Sequence, residues 1–84
     1  MKYYYVFYKC KCFGWKPSGQ STGVSEIECQ TIINIHPLQF QINCNEKYGK
    51  EHETSGGHTA REEYTVVNWI ELTKDEYDEY HGQI

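Results

Sequence analysis

The chain has 84 residues, 38% of them hydrophobic and 15% aromatic, and a formal net charge of −4. That length allows one domain with one modest core, and the eight tyrosines argue against a disordered tail. An isoelectric point near 5.5 speaks against a nucleic-acid-binding module of the usual basic kind, and no apolar run reaches membrane-spanning length.

The opening segment, Lys2 to Phe13, predicts a strand that is apolar on both sides. Tyr4, Val6, Tyr8, Cys10 and Cys12 alternate to one side; Tyr3, Tyr5 and Phe7, followed by Lys9 and Lys11, alternate to the other. A sheet with one wet face carries polar residues at every second position. The second row therefore needs a cover: another layer of the chain, a second copy or a partner. Gly14, Pro17, Ser18, Gly19, Ser21 and Gly23 mark a long hairpin connection. Val24 to Ile35 then reads as a half-wet strand antiparallel to the first. Ile27, Cys29, Thr31, Ile33 and Ile35 form its apolar row, and Glu26, Glu28, Gln30 and Asn34 its polar row. This pairing places Cys10 or Cys12 near Cys29.

Pro37 to Tyr48 carries two patterns. Leu38, Phe40, Ile42 and Cys44 alternate as in a strand, whereas Pro37 suits a first helical position and Gly49 a position just past a helix end. We read a short helix with Leu38, Ile42 and Tyr48 as its stripe. The alternative is a mostly β fold with residues 38–45 as a fourth strand. Lys50 to Arg61 reads as a polar, mobile loop. Glu63 to Leu72 predicts a central strand, with Tyr64, Val66, Ile70 and Leu72 on one side and Val67 and Trp69 on the other. Thr73-Lys74-Asp75-Glu76 is a capping box, with Leu72 and Tyr77 as its hydrophobic staple, and Gly82 is expected to end that helix. The expected fold is a single α+β domain spanning 1–84: a three-stranded antiparallel sheet with one packed helix and a short C-terminal helix.

Charge is unevenly spread. Residues 1–25 carry +4, residues 62–84 carry −6 and the middle −2. Either the two ends neutralise each other in the fold, or they stand apart as poles for oppositely charged partners.

The even number of cysteines would suit a disulfide framework in a secreted chain. The lysine-interrupted, tyrosine-rich opening is not expected to act as a secretory signal. The expectation is a cytoplasmic protein whose cysteines are reduced and serve as small buried apolar residues. Cys10, Cys12, Cys29 and Cys44 with four histidines supply ligands for zinc in principle. Paired ligands on turns are missing, however, and two thiols two residues apart on a strand stand about 7 Å apart. No cofactor and no enzymatic constellation is expected, and neither glycine-rich stretch matches a phosphate-binding pattern. Tyr3, Tyr5 and Phe7 beside Lys9 and Lys11 do resemble a base-stacking stripe.

The tyrosine-rich opening MKYYYVFY, the turn-rich hairpin, His36-Pro37 at the middle segment and the closing VVNWIELTKDEYDEY together resemble small uncharacterised proteins encoded by bacteriophages and prophages. The resemblance implies a non-catalytic, stoichiometric binder of a host protein, including the inhibitors of host defence. The contact residues expected on this reading are Tyr3, Tyr5, Phe7, Lys9, Lys11 and Trp69, with Asp75, Asp78 and Glu79 supplying acidic complementarity. A homodimer closed through the aromatic face is part of the same expectation. The alternative is a small-ligand or nucleic-acid binder using the Tyr/Phe/Lys stripe.

Overall fold

Six elements follow one another in the computed structural model, which describes residues 2–81: β1 (Tyr3–Trp15), β2 (Ser21–Ile33), α1 (Pro37–Tyr48), β3 (His52–Ser55), β4 (His58–Leu72) and α2 (Lys74–His81). The strands form one antiparallel sheet in the order β2-β1-β4-β3. β1 lies inside the sheet with a long neighbour on each side.

The sheet has four strands rather than three, as the mostly β alternative has it, but the additional strand is not residues 38–45. It is β3, within the stretch read as a loop. Gly56 and Gly57 make the difference, because both adopt positive φ (57° and 81°). Two left-handed residues in succession close a two-residue hairpin whose twist matches that of the strands. β4 accordingly starts at His58, earlier than expected.

Pro37 to Tyr48 is helical. The His36 ring Nδ1 accepts the Leu38 N–H at 3.1 Å, and Pro37 occupies the first turn, where a missing N–H costs nothing. At the other end Gly49 donates to Asn45 O at 2.8 Å, and a Cβ on Gly49 would collide with that carbonyl oxygen. The stripe facing the sheet keeps Tyr48 of the expected one and replaces Leu38 and Ile42. Phe40 packs edge-on against Tyr8 and Tyr48 stacks with Tyr64, while Leu38 and Ile42 are exposed.

The two helices lie on opposite faces and each closes a small core. Beneath α1 lie Tyr4, Val6 and Cys10, with Val6 fully buried. α2 sits at one end of the other face, where the Tyr77 ring packs 4.3 Å from that of Tyr3 and where Ile32 and Leu72 are buried. The capping box forms as its sequence implies: Thr73 N–H donates to Glu76 Oε1 (3.0 Å) and Glu76 N–H to Thr73 Oγ1 (3.2 Å). Gly82, expected to end this helix, lies outside the described residues.

Candidate protein-contact face

Opposite α1, the sheet presents Tyr3, Tyr5, Phe7, Lys9, Lys11 and Phe13 from β1. Their cross-strand partners are Leu72, Ile70, Asn68, Thr65, Glu63 and Arg61 from β4. On the β2 side stand Ile32 beside Tyr5, Gln30 beside Phe7, Glu28 beside Lys9 and Glu26 beside Lys11. α2 covers the Tyr3 end. The next stretch is open among the described residues: Tyr5 and Phe7 form a ring pair with centroids 5.0 Å apart, and Ile70 and Val67 remain 55% and 54% exposed. Further along the face, Arg61 lies over the Phe13 ring at 4.2 Å and Trp15 runs parallel to that ring.

A bulge decides who belongs to this patch. β4 carries one residue more than β1 at this point: Asn68 stands opposite Phe7 and Val66 opposite Tyr8, with Val67 inserted between them. A bulge shifts the alternation by one residue. Ile70 and Leu72 therefore leave the row of Tyr64 and Val66 and join the α2 face. Trp69 moves the opposite way. Its backbone pairs with Val6 and its ring lies edge-on to His36 at 5.6 Å, on the α1 side, so it does not share a surface with Tyr3, Tyr5 and Phe7. The residues that sequence reasoning missed are Val67 and Ile70. A signal for the bulge does exist. Asn68 is a poor strand former set between Val67 and Trp69, and its side chain accepts the Trp69 N–H at 2.9 Å.

The charges settle mostly within short reach. Lys9 and Lys11 both approach Glu26 of β2, at 3.7 and 3.9 Å, and Arg61 approaches Glu63 at 3.7 Å. The two chain ends meet through Lys2 and Glu71 at 4.0 Å, and Lys74 pairs with Asp78 along α2 at 3.3 Å. Asp75, Asp78 and Glu79 are exposed on α2, the helix that packs on the Tyr3 end of this face. The basic opening is thus balanced largely by β2 rather than by the C-terminal helix.

The α1 side gathers the thiols. Cys10 and Cys12 approach to 3.8 Å, about half the spacing expected from the strand repeat, because side chains two residues apart can lean toward each other. Cys29 stands opposite Tyr8 rather than opposite either of them, and all four cysteines are free. Burial pushes the Cys10 thiol up to about 11, and burial together with the neighbouring Glu62 carboxylate raises Tyr64. Tyr64 donates its hydroxyl to Glu62. Among the described residues, no three His, Cys, Asp or Glu side chains are grouped so as to hold a metal ion, and no helix is long and apolar enough to cross a membrane.

These features define a single-sheet α+β protein with one helix on each face and an aromatic–aliphatic patch left open beside the shorter helix. Set against protein-family models, curated proteins and solved structures, the chain has no significant match in any of the three.

Proposed function

We propose that this chain is a non-catalytic protein-binding module that docks another protein on the face formed by Tyr5, Phe7, Val67 and Ile70, with the acidic turn of α2 at its rim. The observation that carries this reading is the pair of aliphatic side chains, each more than half exposed, set against an aromatic ring pair on one open sheet face. Contiguous apolar surface of this kind marks contact sites, and aromatic anchors carry much of an interface's energy, about 2 kcal/mol or more each. If the chain is phage-encoded, as its sequence pattern implies, the partner is a host protein; a second copy is the other candidate occupant. A phosphate-bearing ligand is a poorer fit, because Lys9 and Lys11 already share Glu26 and Glu28 adjoins them.

The test is a photo-crosslinking residue placed at Ile70 in cells, with the same residue at Leu38 on α1 as control. A single adduct at position 70, lost in the Tyr5→Ser/Phe7→Ser variant and unaffected by salt, is expected. Equal crosslinking at both positions, or an adduct that survives the double substitution, rejects this face. The mass of the adduct distinguishes a second copy from another protein.

A further inference from the structure

The two long edges of the sheet are finished differently. Along β4, β3 pairs with the opening residues. Asn45 of α1 then bonds both backbone groups of Tyr64, at 2.8 and 3.1 Å, and Gln41 accepts the Val66 N–H at 2.7 Å. β2 has no such cover. Among the described residues its 13 residues pair with β1 alone, and every residue from Ser21 to Glu28 is exposed, including Val24 and Ile27 at 57% and 54%.

A bare strand edge is a template for another extended chain, and natural proteins blunt it with proline, lysine or a bulge. β2 contains neither Pro nor Lys, and its one register shift against β1, at Thr22 beside the hairpin end, leaves Gly23 to Ile33 in regular pairing. What it does carry is Glu26 and Glu28 on one side of the pleat and Ile27 and Cys29 on the other. That pattern selects the occupant. A second copy related by a two-fold axis, in the register of full overlap about Ile27, would set Glu26 of each copy directly opposite Glu28 of the other. Like charges directly opposite destabilise a strand pair. Glu28, unlike Glu26, has no cation within ion-pair distance among the described residues.

We propose that the outer edge of β2 receives an extended segment of a partner protein as a fifth strand. That segment alternates basic with apolar residues: Lys or Arg beside Glu26 and Glu28, apolar side chains beside Ile27 and Cys29. Main-chain hydrogen bonds hold such a strand, and the alternate side chains specify it. The inference rests on the chain being a protein-binding module. It uses a different surface from the aromatic patch, so either site can fail alone.

The experiment is amide hydrogen exchange, read residue by residue by NMR, with two synthetic peptides: one alternating valine with lysine, the other valine with glutamate. The valine–lysine peptide is expected to slow exchange along β2 and to bind about tenfold tighter than its acidic counterpart. The Glu26→Lys/Glu28→Lys variant is expected to reverse that preference. Both carboxylates are exposed, and unchanged exchange in β1 will verify that the fold persists. The Tyr5→Ser/Phe7→Ser variant is expected to bind the peptide as the unsubstituted protein does, which separates this site from the aromatic face. Equal binding of both peptides, or protection confined to the aromatic face, overturns the proposal. Protection of β2 that grows with protein concentration in the absence of peptide also overturns it, in favour of a second copy.

Discussion

Cys10 and Tyr64 are neighbours across the strand pair under α1, and burial disfavours the charged form of each. For Cys10 the folded thiol titrates near 11 against an ordinary value of 9.0, so the fold favours the neutral form. A group raised in this way contributes its full stabilisation below its ordinary value and loses it as pH climbs through the folded one. Tyr64 is shifted in the same direction, which extends the effect to higher pH. The melting temperature is therefore expected to fall between pH 9 and 11, and the drop should shrink in Cys10→Ala. A flat profile across that interval would show that the thiol is better hydrated than its position implies. Val67 acts at the same scale but through geometry. As the extra residue of the bulge it determines that Ile70 faces α2 and that Trp69 faces α1.

Among the elements, α2 is the one whose sequence and structure agree most closely. It has eight residues, too few for an isolated helix, so its reciprocal caps and its packing on Tyr3 must both contribute. Thr73→Ala is expected to cost about 1 kcal/mol, seen as a lower urea midpoint with an unchanged slope. If the midpoint does not move, packing alone holds the helix. α1 differs. Its ends are legible in Pro37 and Gly49, because such end signals are local chemistry, whereas the His36 cap is not. Its sheet-facing side was not visible, because Gln41 and Asn45 gain their value from backbone groups on β4 that β3 is too short to reach. An apolar count alone favours Leu38 and Ile42, which the fold leaves in water.

The whole molecule is elongated, with extents of 51 × 21 × 20 Å, because two 13-residue strands and a 15-residue strand run side by side while the helices cover only part of their length. Phe40 of α1 and its cap residue His36 contact β1 at Tyr8 and Tyr4, and α2 contacts it at Tyr3. The stretch from Phe13 to Trp15, with β3 beyond it, has no helix ring against it among the described contacts. Local stability follows such differences in cover. Backbone amides of Phe13 to Trp15 are thus expected to exchange faster than those of Tyr4 to Tyr8. Uniform exchange along β1 would show that the hairpin end is protected by something other than its own helices.

By itself, the sequence determined what depends on neighbours along the chain. The two apolar rows of β1 required cover on both faces of that strand, and Thr73 to Glu76 required a capped helix. Pro17 and Gly19 required a turn, which forms with Gly19 N–H donating to Lys16 O at 2.8 Å. The Gly56-Gly57 turn belongs to the same class, but β3 is short and wholly polar, so the stretch around it carries the pattern of a loop. Only the tertiary structure decided which side chains share a surface. The bulge at Val67 exists because β4 must keep its register with β1 on both sides of that point, and a single inserted residue reverses every facing beyond it. Likewise, Glu26 became the partner of Lys9 and Lys11 through strand pairing, which brings side chains far apart in the chain to within reach of one another.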